Sequence, residues 1–227
     1  MKFFITLILT VACAGLIAET PEEIFESHKK GAEENVGDDK FKQSVQSMVQ
    51  WLLAVEYITG KGVAKNEAEG VKWLRKSAEF GQARSQCDLA HCYMDGTGVK
   101  IDYNEGVKWY RKAAEQGYIV AQNRLGRCYY LGTGVSKDYS ESAKWFHKAA
   151  DRGDDDSQGY LAMLYYNGMG VSKDYIKAYA YANLAAATND DARQLLNEIE
   201  QNVSPAIAEK GQQLTRELKV EISKKQQ

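Results

Sequence analysis

The feature that most constrains this chain is a short string, Gly-x-Gly-Val, that recurs at a fixed interval. It begins at Gly60, Gly96, Gly132 and Gly168, and each copy starts 36 residues after the one before it. Three further columns keep the same step: Leu53, Leu89, Leu125, Leu161; Tyr57, Tyr93, Tyr129, Tyr165; and Trp73, Trp109, Trp145, Tyr181. A period of this length is typical of solenoids, in which each unit packs mainly on its neighbours. The sequence therefore predicts an array of units and not one large globular core.

The third unit shows how each repeat is built. Apolar and small residues at helical spacing predict a first helix, helix A, over 119–131, and Gly132 is expected to end it in a left-handed conformation. Asp138 followed by Glu141 predicts a capping box at the start of a second helix, helix B, which ends before Gly153. The same start signal occurs as Asn66 with Glu69 and Asp102 with Glu105, whereas Asp174 is followed by Lys177. We therefore predict an all-α fold, an alpha/alpha superhelical solenoid of four 36-residue helix-turn-helix repeats over 45–188.

Helical segments are expected to cap both ends of the array, because the outer faces of terminal repeats need cover. Residues 19–44 contain a helix start signal, Thr20-Pro21-Glu22-Glu23, which predicts a capping helix over 20–30 followed by a polar joint over 31–40. Residues 189–227 are predicted to form two capping helices, over 190–200 and from 205 to about 224. The second opens with serine and then proline, a common helix start.

The first 18 residues have the layout of a secretory signal peptide: one lysine, an apolar run and a tract of small residues. Cleavage is expected after Ala18, with Ala14 as an alternative, and it predicts a secreted or periplasmic protein. Cys13 leaves open a lipoprotein, although Thr10 stands where an apolar branched residue is usual. A retained anchor is a third alternative, although the apolar stretch is shorter than the roughly 20 residues that span a bilayer. Membrane contact is expected only through an uncleaved or lipidated N-terminus.

Charge and cysteine content narrow the function classes. The net charge is −2 and no long basic or acidic block occurs, which argues against a nucleic-acid partner. Beyond the signal peptide the chain holds Cys87, Cys92 and Cys128, an odd number that argues against a closed disulfide framework. We interpret these cysteines as buried thiols that fill apolar positions. The three histidines lack partners at ligand spacing, so no metal site and no cofactor is predicted.

No group of residues predicts catalysis. The stretch Ser27-His28-Lys29-Lys30 matches the serine-x-x-lysine pattern of penicillin-interacting enzymes, but its companion motifs are missing and we interpret it as a chance match. The Gly-x-Gly-Val loops follow no predicted strand, so they are interpreted as turns between helices and not as phosphate-binding loops.

The repeat resembles a known family. Its third unit reads Leu-Gly-x-x-Tyr-x-x-Gly-x-Gly-Val-x-x-Asp from Leu125, continued by Lys-Trp-x-x-Lys-Ala-Ala-x-x-Gly from Lys144. This string is similar to the Sel-1-like repeat, a relative of the tetratricopeptide repeat. The resemblance implies an alpha/alpha superhelix that serves as a scaffold or adaptor for a protein or peptide partner, without catalysis.

A secreted, cysteine-rich branch of that family, described as binding penicillin-like compounds, supplies an alternative function. That branch carries two cysteines per repeat, at positions that are here alanine and glutamine: Ala78 with Gln86, Ala114 with Gln122, and Ala150 with Gln158. The alternative is a beta-lactam-interacting or other envelope enzyme.

If helix A lines the inner wall of such a superhelix, one stripe of that helix would face a partner. The stripe follows from shifting positions 123, 127 and 130 by 36 residues, and it contains the least regular residues of the repeat. Aromatic residues and arginine are frequent at binding hot spots, so we predict a groove for an extended or helical peptide. The predicted groove residues are Trp51, Val55, Ile58, His91, Met94, Asn123, Arg127, Tyr130, Met163 and Tyr166. A carboxylate or carbonyl of the partner is expected to meet Arg127 and Asn123. An alternative for Trp51, Val55 and Ile58 is that the N-terminal segment covers them.

Overall fold

The structure, a computed structural model, describes residues 20–33 and 40–226. Within these ranges the chain forms eleven α-helices and no strand. The helices are α1 Pro21–Glu33, α2 Lys40–Thr59, α3 Glu67–Glu79, α4 Ala83–Asp95, α5 Tyr103–Glu115, α6 Ile119–Leu131, α7 Tyr139–Ala150, α8 Asp155–Asn167, α9 Tyr175–Ala185, α10 Asp190–Asn202 and α11 Pro205–Lys225. They fall into two compact units, one ending at Ile101 and the other beginning at Asp102.

The predicted order of helices is confirmed. Helices α2, α4, α6 and α8 are the A helices of the four repeats, and α3, α5, α7 and α9 are the B helices. The predicted signal peptide and most of the joint after α1 lie outside the described residues. Within the described ranges no helix combines the length and the apolar character that a bilayer crossing requires.

The turn between the two helices of a repeat depends on its glycines. In the third repeat Gly132 has φ 78° and Gly134 has φ 70°, both in the left-handed region that side chains disfavour. A Cβ atom added to Gly134 would lie 2.2 Å from the carbonyl oxygen of Tyr103, at the start of α5. The second glycine is therefore required twice, for its dihedral angle and for the close approach of a neighbouring backbone.

The predicted capping box is only half formed. Asp138 Oδ1 accepts hydrogen bonds from the N–H groups of Ser140 and Glu141 at 2.9 and 3.0 Å, which caps α7 as expected. Glu141 does not return a bond to the cap; its carboxylate instead pairs with Lys144 Nζ at 2.5 Å. The reason is that the N–H of Asp138 already donates to the carbonyl of Tyr129 at 2.9 Å. Asn66 and Asp174 make the equivalent backbone bonds to Tyr57 and Tyr165.

The regular columns are packing columns. The leucines at 53, 89, 125 and 161 are fully buried, and the four residues of the tryptophan column are buried with only 6–7% of their surface exposed. In the last three A helices the hydroxyl of the column tyrosine meets a basic side chain of the preceding B helix: Arg75 with Tyr93, Arg111 with Tyr129, and His147 with Tyr165. The residues that recur at the 36-residue step therefore form the hydrophobic core and also give each of these three tyrosines a hydrogen-bond partner.

A hydrogen bond joins the two positions of each repeat at which the cysteine-rich branch carries its cysteines. The side-chain Nε2 atoms of Gln86, Gln122 and Gln158 donate to the carbonyls of Ala78, Ala114 and Ala150 at 3.1, 3.1 and 3.3 Å. All three glutamines are buried. A buried polar side chain thus joins the end of each B helix to the next A helix without covalent chemistry.

Helices outside the repeats pack on the first and on the last repeat. In the first unit α1 packs on α2 through Phe25 and Tyr57, whose ring centroids lie 5.2 Å apart, and His28 Nδ1 lies 2.8 Å from Glu56 Oε1. In the second unit α11 packs on α9, where Gly211 leaves room for the ring of Tyr179. Helix α10 packs on α8 and α9.

Candidate functional site

The second unit contains an open cavity of about 690 Å³ between three helices. Helices α6 and α8 are the A helices of the third and fourth repeats, and α10 is the first helix after the repeats. Side chains from all three line the cavity: Arg127, Tyr130, Asp156, Tyr160, Met163, Tyr166, Asn167, Asn189, Asp191, Ala192, Leu195 and Glu198, together with Gly159.

The glycine among the lining residues positions the third wall. A Cβ atom at Gly159 would lie 3.2 Å from Asn189 Nδ2 and 3.8 Å from Ala192 Cβ. The first of these distances is shorter than most real Cβ contacts, so a larger residue would press on Asn189 at the start of α10. Asn189 also caps α10, because its Oδ1 accepts the N–H of Ala192 at 3.0 Å. The small residue on α8 thus lets α10 come close enough to form the third wall of the cavity.

Aromatic rings form much of the wall. Tyr130 lies 5.3 Å from Tyr139 and 5.4 Å from Tyr160, measured between ring centroids, and its hydroxyl donates to Met163 Sδ at 3.7 Å. Tyr160 in turn stacks on the buried ring of Phe146 at 4.6 Å. The core of the repeat therefore holds the rings of the wall in place.

Hydrogen bonds and burial shift the acidity of two tyrosines. Burial raises the pKa of Tyr130, with smaller contributions from Tyr139 and Tyr160. The hydroxyl of Tyr166 donates to Glu198 Oε1 at 2.7 Å, and this bond raises the pKa of Tyr166. Both rings therefore remain neutral phenols at physiological pH.

Three carboxylates and one guanidinium face the cavity. Asp156 accepts a bond of 3.4 Å from Asn189, and Glu198 accepts the bond from Tyr166. Asp191 and Arg127 are on the wall without an ion pair inside the described ranges. No group of three or more His, Cys, Asp or Glu residues in the described ranges is arranged to hold a metal ion.

Four of the residues predicted for the groove meet in this cavity: Arg127, Tyr130, Met163 and Tyr166. Asn123, the fifth predicted residue of this unit, is not among the residues that line the cavity. Its amide is buried and donates to Asp154 Oδ2 at 2.8 Å and to Ser157 Oγ at 2.9 Å, which ties α6 to the start of α8. Its role in partner binding stays a prediction, whereas these hydrogen bonds give it a structural role in joining the two helices.

The predicted groove residues of the first unit have neighbours inside that unit. Trp51 donates through Nε1 to Asp88 Oδ2 at 2.7 Å, and the guanidinium of Arg84 lies 3.8 Å above its ring. Both partners belong to α4 and not to the N-terminal segment. Ile58 packs on Gly70 of α3, where an added Cβ would lie 2.6 Å from its Cγ1 atom.

The remaining three predicted residues of the first unit differ in exposure. His91 is exposed, and its Nε2 atom lies 3.6 Å from Asp95 Oδ2. Val55 and Met94 are half-buried. Partner binding by these residues stays a prediction.

Sequence reasoning missed the contributions of α10, above all Asp191, Leu195 and Glu198. That helix carries no Gly-x-Gly-Val string, so the motif search ended at 188. The 36-residue step contained a usable signal, because one step beyond Asp155–Asn167 falls on 191–203, and α10 spans Asp190–Asn202. Extending the period without its motif would have placed a further helix A there.

The comparisons with known proteins agree with this architecture. The family model described as Sel1 repeat matches residues 47–80, 83–118, 119–154 and 155–190. The chain is similar in structure to a protective antigen of uropathogenic Escherichia coli strains that displays an SLR fold, with 31% identity and a TM-score of 0.79. That match covers 96% of this chain but only 45% of the antigen.

A Sel1 repeat protein from Oxalobacter formigenes matches with 29% identity and a TM-score of 0.69, over 86% of this chain and 74% of its own. No curated protein matches the sequence significantly. Four consecutive matches to one family model cover more than half of the residues. The chain belongs to the Sel1 repeat family.

Proposed function

We propose that this chain is a secreted or periplasmic interaction scaffold that binds a peptide or protein partner in the cavity between α6, α8 and α10. Sel1 repeat proteins are generally scaffolds for protein–protein interactions, and their fold is typically non-catalytic. The observation that carries the proposal is the meeting of four irregular repeat positions in one cavity, lined by aromatic side chains. Rigid aromatic surfaces are typical of interaction hot spots.

The proposed binding mode uses the existing wall. Tyr130, Tyr160 and Tyr166 offer ring faces for apolar or cationic side chains, and Met163 provides an adaptable contact at the base. The cavity is open, so a segment of a larger protein can enter without unfolding. The predicted signal peptide over 1–18 would direct the chain to the compartment where it meets that partner.

Binding can be tested with a random peptide library displayed on phage and selected against the full chain. Selected peptides are expected to lose affinity for the double variant Tyr130→Ala/Tyr166→Ala. The control is Tyr103→Ala, which removes an exposed tyrosine of the same unit that does not line the cavity. Thermal melting of each variant separates loss of binding from loss of folding. Peptides that bind both variants equally well would refute a site in this cavity.

Secretion is tested separately. Expression of the full chain in a bacterial host, followed by mass spectrometry of the extracellular and periplasmic fractions, is expected to give a mature N-terminus at Glu19. An intact N-terminus in the cytoplasmic fraction would refute this part of the proposal.

A further inference from the structure

The charges around the cavity point to the chemistry of its occupant. The lining holds three carboxylates, Asp156, Asp191 and Glu198, against the single guanidinium of Arg127, an excess of two negative charges. Clefts lined by one sign of charge concentrate ligands of the other sign. This balance disfavours the acidic group that sequence analysis assigned to Arg127.

Helix electrostatics explain two of these carboxylates but not the third. Asp156 and Asp191 lie in the first turns of α8 and α10, where a negative charge stabilises the helix. Glu198 lies beyond the first turn of α10, where the helix dipole no longer stabilises a carboxylate. The bond from Tyr166 holds its Oε1 atom on the cavity wall.

The Glu198 carboxylate keeps capacity for a further donor. Within the described part of the chain only Tyr166 donates to it, through Oε1. The Oε2 atom is thus available to an ammonium or guanidinium group that enters beside the Tyr166 ring. An oriented carboxylate next to an aromatic face is a suitable receptor for a cationic side chain.

The same unit already places cations on its aromatic faces. Lys112 Nζ and Lys148 Nζ each lie 3.7 Å from the ring centroids of Trp109 and Trp145. Lys173 Nζ likewise lies over the rings of Tyr175 and Tyr166, at 4.9 and 5.9 Å from their centroids. Its shorter distance is to Tyr175, so the Tyr166 ring holds this lysine only at the outer limit of a cation–π contact.

We infer that the cavity binds a partner segment that presents a lysine or arginine side chain between Tyr166 and Glu198, with an apolar neighbour on Met163 and Leu195. The inference rests on the proposed function and names the chemistry of the partner. Asp156 and Asp191 attract the same segment at longer range, and Arg127 repels a second basic residue at the α6 end.

The test uses an unbiased peptide library displayed on phage and selected against the full chain, followed by binding measurements on synthetic peptides. Selected sequences are expected to contain one lysine or arginine beside apolar residues. The triple variant Asp156→Asn/Asp191→Asn/Glu198→Gln should weaken their binding about tenfold, since each exposed charge pair contributes modestly. Glu198→Gln keeps an acceptor for Tyr166, so the wall is preserved. The matched control, Glu209→Gln, removes an exposed carboxylate of α11 that does not line the cavity and should leave affinity unchanged.

The variant Arg127→Gln distinguishes a basic partner from one that places a carboxylate on Arg127. It should strengthen binding of a basic peptide by about twofold, because it removes a like charge, whereas a partner carboxylate on Arg127 would make the same variant weaken binding. Selected peptides that are acidic or neutral, yet lost in Tyr130→Ala/Tyr166→Ala, would overturn the inference and leave the proposed function intact. Peptides insensitive to that double variant would overturn both. Equal binding of a free polyamine and a basic peptide would show a small-cation site and overturn the inference of a peptide segment.

Discussion

Replacing Gly134 by alanine should damage the second unit far more than replacing Gly132, although the two lie in one turn. Both glycines have left-handed φ angles, 70° and 78°, so an alanine at either position should cost about 1–2 kcal/mol of conformational strain. Their surroundings differ. A Cβ at Gly132 would lie 3.3 Å from the Cβ and the backbone N of Lys137, which a shift of a few tenths of an ångström relieves, whereas at Gly134 it would lie 2.2 Å from the Tyr103 carbonyl oxygen.

The second contact is with backbone at the start of α5, so it can be relieved only by moving that helix. Overpacking of this kind costs about 1–3 kcal/mol in addition to the strain. We expect Gly132→Ala to lower the free energy of unfolding by about 1 kcal/mol and Gly134→Ala by about 3 kcal/mol. For a chain of this size the corresponding losses in Tm are about 3 and 9 °C.

Thermal and urea unfolding, followed by far-ultraviolet circular dichroism, measure both variants under identical conditions. Because the dihedral strain is shared, the difference between the variants isolates the close approach to Tyr103. Equal losses of stability in the two variants would refute the argument that this approach, and not the turn alone, requires the second glycine.

Three further predictions concern the rest of the repeat. Burial lowers the pKa of His147, so the folded state keeps it neutral; stability should fall as pH drops below about 6.5, and His147→Gln should remove that part of the decline in a Tm series across pH. Burial raises the pKa of Cys92 to about 12 and that of Cys128 to about 11, so iodoacetamide at about pH 8 should alkylate both roughly a hundred times more slowly in the native than in the unfolded chain; comparable rates would contradict their burial. Replacing the hydrogen-bonded pair by cysteines, Ala114→Cys/Gln122→Cys, should form a disulfide that stabilises the fold by about 2–3 kcal/mol, and a Tm unchanged by reductant would contradict this.

The helix bounds of the repeats could be predicted closely because each repeat carries its own helix-capping residues and turn glycines. The sequence predicted helix A of the third repeat over 119–131, and α6 spans Ile119–Leu131. The capping box was the exception. Glu141 was expected to accept a hydrogen bond from the N–H of Asp138, but that N–H donates to the Tyr129 carbonyl. A sequence pattern cannot show that a backbone carbonyl from another helix reaches the same N–H group.

The candidate site was less accessible to sequence reasoning. A period identifies equivalent positions but not what packs on them, so the sequence could not show that Arg84 and Asp88 of the next helix A contact Trp51. The contacts of Asn123 could not be predicted either, because its buried amide donates to Asp154 and Ser157 at the start of the next A helix. These contacts are specific to single repeats.

The most informative part of the cavity comes from the helix that departs from the repeat. Helix α10 begins where a fifth helix A would begin, yet it lacks the Leu, Tyr and Gly columns and is free to carry Asp191 and Glu198 on the wall. A further regular repeat would place a small packing residue at position 198, where the buried Ala162 stands one step earlier, and would continue the array. An end helix that both covers the last repeat and contributes charge can therefore set the selectivity of the neighbouring cavity without disturbing the repeats that build it. The Glu198→Gln and Glu209→Gln pair tests this division directly, because one residue lines the cavity and the other does not.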